Sequence, residues 1–178
     1  MQFKNSETRY GAIAIILHWL MTILLVALVS LGLYMTEIPV SAWKLKLYGW
    51  HKEFGVLVLF LVMLRIVWRI GNIVPLLPAT LPHWQKLAAH GVHWALYGLM
   101  FALPITGWLI SSASGLPVSF FGWFVLPDII SPNKELQELF SEVHEFLAYA
   151  LIVTFCAHVA AALKHHFINK DDILRRML

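Results

Sequence analysis

His144 and His158 both lie in or beside the apolar stretch near the C-terminus, and they are 14 residues apart. In an α-helix that separation is a rise of about 21 Å and a rotation of about 1400°, only about 40° short of four turns. Both imidazoles therefore lie on one side of such a helix, one toward each end. Imidazole nitrogens ligate metals, and ionisable groups in a membrane-length apolar helix face a bundle interior or a bound functional group. Two in register ask for a ligand at each end, and a pair of bound metals or haems meets that demand.

The element that carries them follows from length. The 18 uncharged residues between Glu145 and Lys164 cross a hydrocarbon core of roughly 30 Å at about 1.5 Å per residue. Sixty per cent of the chain is hydrophobic, 13% is charged and the mean hydropathy is +0.73, which places it in the membrane class. We expect an all-α membrane protein, a four-transmembrane-helix bundle forming one domain over residues 1–178, with spans at about 11–35, 51–70, 88–112 and 143–166. The first run exceeds the roughly 7–15 residues of a signal-peptide core and lacks a clear small-residue cleavage site, so it is expected to stay as an anchor. Pro75, Pro78 and Pro82 make the connection between the second and third spans stiff. Pro104 and Gly107 interrupt the third span, where a bend is expected. Residues 115–132, broken by Gly115, Pro117, Gly122 and Pro127, suit an interfacial or re-entrant loop better than a further span.

Orientation follows from the basic residues. In this four-span arrangement nine of the 13 Lys and Arg lie on the side of the termini, and Lys44, Lys46, Lys52 and Lys134 lie on the other. The positive-inside rule puts both termini in the cytoplasm. Eight tryptophans, several near the expected span ends, suit interfacial aromatic belts. The pI near 9.1 does not point to nucleic acid, because the basic residues border apolar spans instead of covering a soluble face. The single cysteine, Cys156, permits neither an intramolecular disulfide nor a C-x-x-C-H attachment site, so any haem is held noncovalently.

This topology sorts the histidines by depth. His18 lies about 13 Å inward from Arg9 and His158 about 9 Å inward from Lys164, so both occupy the cytoplasmic half. His51 opens the second span and His144 the fourth, on the outer side. Each depth thus offers the two axial imidazoles of a haem iron, with the last helix giving one to each. Small residues a turn beyond, at Gly55, Ala148, Ala161 and Ala162, suit a flat macrocycle but serve ordinary helix packing as well. Any one of these histidines could instead bond across helices. His93 is the rival ligand: it could replace His18 or His158, or contact a propionate or quinone. His90 has a weaker claim, His83 reads as a loop residue, and His165 and His166 as interfacial. Met21 or Met63 as an axial ligand has nothing specific in its favour. A tetrahedral zinc site lacks thiolates, and the two pairs are too far apart to form one.

The segments ILHWL at His18, HKEFG at His51, AAHGVHWALY and ALPITGW in the third span, and HEFLAYALIVTFCAHVAAALKHHFINKDDILRRM resemble the bacterial cytochrome b561 family over nearly the whole chain. The resemblance implies a four-helix inner-membrane protein with two b-type haems that exchanges electrons with quinone. Carried onto matching positions, the family pattern assigns His18 and His158 to the inner haem iron and His51 and His144 to the outer. Some members are described as superoxide oxidases that pass the electron to ubiquinone. Lys44, Lys46 and Lys52 beside His51 would attract a small anionic reductant such as superoxide, or would serve as interface anchors. Two further classes compete: a haem-b membrane anchor passing electrons from a partner respiratory oxidoreductase to quinone, and a transporter with histidine proton relays. Haem content separates the transporter, and a copurifying catalytic subunit separates the anchor.

Overall fold

The computed structural model describes residues 2–78 and 81–178. They are mostly helical: α1 (Ala12–Glu37), α2 (Ala42–Ile70), α3 (His83–Ala113) and α4 (Lys134–Lys164). Helices α1 and α3, together with α4 and its continuation to Asn169, are long and apolar enough to cross a membrane. Helix α2, 29 residues long, carries Lys44, Lys46, Lys52, Glu53, Arg65 and Arg69 and is less uniformly apolar.

Two helices begin well before the expected spans. Helix α2 starts nine residues ahead of His51, because the Ser41 hydroxyl caps the Lys44 amide at 3.2 Å and Leu47 is buried beneath the first turns. His51 therefore sits inside α2 and does not open it. Helix α4 starts at Lys134, capped by the Asn133 side chain on the Leu136 amide at 3.0 Å, so His144 also lies well within a helix. Apolar content marks where a helix enters lipid, whereas caps mark where it begins. At its far end α4 widens into a π turn, His165–Asn169, and stops at Lys170, whose φ of 54° is left-handed.

Pro104 lies inside α3, which runs through it. The loop after α3 departs from the all-α expectation. Ser119–Phe120 pairs antiparallel with Phe124–Val125 as strands β1 and β2. Between them Phe121 and Gly122 have φ of 49° and 74°, the left-handed pair of a tight hairpin turn. Val118, Phe120 and Leu126 are buried with Val56, packed by Leu57 of α2 and Trp108 of α3, and the Trp108 indole donates to the Pro127 carbonyl at 2.9 Å. The loop thus folds back against α2 and α3.

Among the described residues α1 packs on α2, α2 on α3 and α3 on α4, while α4 has no comparable close packing with α1 or α2. A core of Met21, Val62, Tyr97 and Met100 ties the first three helices together. Only Leu151 is buried along α4, so much of this apolar helix stands uncovered, including where it faces α1 and α2 without close packing. The tail closes the end near the N-terminus: the Trp19 indole donates to the Met177 carbonyl at 2.7 Å. Arg176 forks onto Asp172 at 2.9 and 3.1 Å, which holds that carboxyl below its usual range.

Candidate haem sites

Both expected histidine pairs join α4 to the helices it does not pack closely against. The His18 ring on α1 lies 6.3 Å, centre to centre, from His158 on α4, at an interplanar angle of 68°. The His51 ring on α2 lies 6.3 Å from His144 on α4, at 70°. Two imidazole nitrogens on opposite sides of one metal ion, at about 2.0–2.1 Å each and roughly 1.1 Å from their ring centres, would separate those centres by roughly 6.2–6.4 Å. Each pair therefore has the spacing of two axial ligands, between helices whose backbones stand apart. All four rings are half-buried. These residues fit a flat, ligated macrocycle at each depth.

Position by position, every helix repeats the 14-residue interval first seen in α4. On α1 it separates His18 from Gly32, on α2 His51 from Arg65, and on α3 His93 from Gly107. The result is two layers about 21 Å apart along the helices. Gly32, His51, Gly107 and His144 form the one that the expected orientation makes outer; His18, Arg65, His93 and His158, on the side of the chain termini, form the one that it makes inner. Histidines alone gave five of the eight positions; Gly32, Gly107 and Arg65 were missed although the same interval marks them.

In the outer layer the glycines face the rings. A Cβ on Gly32 would lie 3.3 Å from His51 Cε1, and one on Gly107 would lie 3.5 Å from His144 Cε1. Around Gly55, by contrast, an added Cβ would meet nothing within 4 Å. Thr106 was also missed. Its hydroxyl, buried at 8% exposure, is 2.9 Å from both the Leu103 carbonyl and His144 Nδ1. A hydroxyl has one proton, so it donates to the carbonyl and accepts from His144 Nδ1–H. That tautomer leaves the Nε2 lone pair for a metal, the usual arrangement of an oriented imidazole ligand. His51 Nδ1 is buried without a partner.

The inner layer is charged and crowded. Arg65 Nη2 is 3.0 Å from His18 Nδ1, and the His93 ring lies 5.4 Å from His158. His93 thus stands beside the inner pair, closer to His158 than an opposed axial ligand would be. His165 is engaged elsewhere, with Asp171 and Asn169. The outer lysines are also partly occupied: Lys44 Nζ donates to the Ile38 carbonyl at 2.8 Å, and Lys46 Nζ lies 5.1 Å from the Trp50 ring centre.

Apolar membrane-length helices with half-buried imidazoles at this spacing suit a membrane cytochrome of the b type. Residues 9–178 match the family described as prokaryotic cytochrome b561, and the chain belongs to it. It is 38% identical to cytochrome b561 homolog 2 of Escherichia coli K12, over all of this chain and 95% of that protein. It is 33% identical to cytochrome b561 homolog 1 of the same organism, over 96% of this chain and 97% of that protein. A protein of Yersinia pestis named as a probable superoxide oxidase, CybB, is 30% identical over 96% of each chain. The chain is therefore a bacterial membrane protein that binds haem b and transfers electrons.

Proposed function

We propose that residues 1–178 form a single inner-membrane domain of four spans with both termini in the cytoplasm, holding two haems b and passing electrons from superoxide at the outer surface to membrane ubiquinone. The observation that carries the haem count is the pair of 6.3 Å imidazole separations, one in each layer. His18 and His158 would hold the inner iron, and His51 and His144 the outer. Bound haem would supply a reversible one-electron iron couple. The protein's own residues then set the conditions. Thr106 fixes the His144 tautomer, and Gly32 and Gly107 leave room for the outer rings. Lys44, Lys46 and Lys52 place positive charge beside the outer layer, where it would raise the local concentration of a small anion. The CybB relative's printed name supports superoxide as that anion.

Purified protein tests this with one spectrum and one pulse. Pyridine haemochrome analysis should give about two extractable haems per chain, and pulsed superoxide should reduce them, with reoxidation by added ubiquinone. A ratio near one, or haem that resists acid-acetone extraction, removes the two-site reading. Absence of reduction by superoxide, with a catalytic subunit copurifying, transfers the function to a membrane anchor for a partner oxidoreductase.

A further inference from the structure

The inner layer contains a hydrogen bond that its ligand set leaves unexplained. Arg65 stands on α2 at the inner-layer position, with Nη2 3.0 Å from His18 Nδ1 and its guanidinium carbon 5.7 Å from the Tyr97 ring centre. One turn further on, the Arg69 guanidinium carbon lies 5.8 Å from the same ring centre. Both arginines line a small cavity with Trp68, whose indole Nε1 is buried without a partner. Two guanidinium groups and an unpartnered indole N–H, all donor-only groups, therefore gather there. Among the described residues no carboxylate pairs with either arginine.

Arginine has five donors and no acceptor. In this contact His18 Nδ1 must accept, and the proton of the neutral ring sits on Nε2. A metal needs the lone pair of a ring nitrogen, so ligation through Nε2 and acceptance from Arg65 at Nδ1 exclude one another. Ligation through Nδ1 would displace Arg65 directly. In either case an iron at His18 deprives the part-buried Arg65 guanidinium of its acceptor, and a charged group in such surroundings is ordinarily paired. The haem that brings the iron also brings two propionate carboxylates, and the guanidinium fork matches a carboxylate bidentately.

We propose that Arg65, supported by Arg69 and the Trp68 indole, is the carboxylate clamp of the inner macrocycle, exchanging His18 for a propionate when the iron is ligated. This rests on the reading of His18 and His158 as inner haem ligands. The clamp gives the inner layer a selectivity for the acid form of the porphyrin that the outer pair does not obtain from Arg65.

Haem loss from the full-length detergent-solubilised protein to an excess of a haem-scavenging globin tests it. Arg65→Gln should speed one kinetic phase roughly 10-fold or more, as expected for loss of a charged hydrogen bond, and leave the other phase unchanged. Arg65→Lys should lie between, because an ammonium supplies charge without the fork. Wild-type protein reconstituted with the dimethyl ester of iron protoporphyrin IX should already show the fast phase, and Arg65→Gln should add nothing to it. The midpoint potential of the affected haem should fall in Arg65→Gln, since removing a cation favours the ferric form.

Acid and ester forms held equally by wild-type protein would overturn the clamp, as would equal acceleration of both phases by Arg65→Gln. If His158→Ala removes one haem and these results still hold, the haem reading survives and the clamp alone fails. If His158→Ala removes no haem, both fail.

Discussion

The outer layer surrounds its two imidazoles with glycine and a hydroxyl, whereas the inner layer, built at the same 14-residue interval, surrounds its pair with a guanidinium and a third imidazole. The repeat sets depth and facing in both, because four helical turns return each side chain to nearly the same direction. What differs is how each ring is held. His144 is oriented by a neutral hydrogen bond to Thr106 that already favours ligation through Nε2. His18 is bonded by a cation that ligation, as proposed, would displace. Equal spacing therefore does not mean equal chemistry: on the proposed reading the outer layer is arranged for a fixed ligand geometry, the inner for exchange and for a positive local field.

The most severe way to break the comparison is to remove one ligand from each layer. His144→Ala should abolish the outer haem and His158→Ala the inner, each lowering the haemochrome ratio from about two to about one. Loss of both haems in either variant would mean that the layers are not independent. A narrower change sharpens the outer layer: Thr106→Val keeps the side chain's shape but leaves His144 Nδ1 without its acceptor. Loss of such an outer hydrogen bond costs on the order of 10- to 100-fold in affinity, measured as haem loss confined to one phase.

Gly32→Ala should have a smaller effect in the same place. Its Cβ at 3.3 Å from His51 Cε1 is tighter than ordinary contact, so the ring must give. An overpacking cost of about 1 kcal/mol corresponds to roughly fivefold weaker outer haem binding, while Gly107→Ala, at 3.5 Å, should be milder. A shift in the inner spectrum by either variant would count against the layer assignment.

The rate of haem reduction by superoxide tests the surface beside the outer layer. If Lys44, Lys46 and Lys52 steer an anion, the second-order rate should fall several-fold as the Debye length shortens from about 30 Å at 0.01 M to about 8 Å at 0.15 M salt. Lys44 and Lys46 already engage a carbonyl and an indole, so charge reversal at Lys52 with one of them is the informative variant. A rate indifferent to both salt and charge would assign these lysines to interface anchoring. The smallest expected effect belongs to His93→Ala, which should retain both haems. Removal of the inner haem by His93→Ala, with His18→Ala sparing it, would make His93 the partner of His158.

The sequence by itself determined the helices and the facing of the histidines, since both follow from local geometry: eighteen uncharged residues require a membrane-length helix, and fourteen residues require one face. It also contained the outer-layer glycines and Arg65 at that interval, but a glycine has no chemistry of its own to announce a neighbour. Only the tertiary structure decided that Gly32 faces His51, that Thr106 meets His144 and that Arg65 reaches His18, because each contact joins different helices and depends on their rotation. The early starts of α2 and α4 were obscured for a different reason. Hydropathy reports contact with lipid, while the Ser41 and Asn133 caps begin those helices in polar surroundings. The uncovered face of α4 was likewise beyond the sequence, since an apolar face reads the same whether a helix, lipid or a flat cofactor covers it.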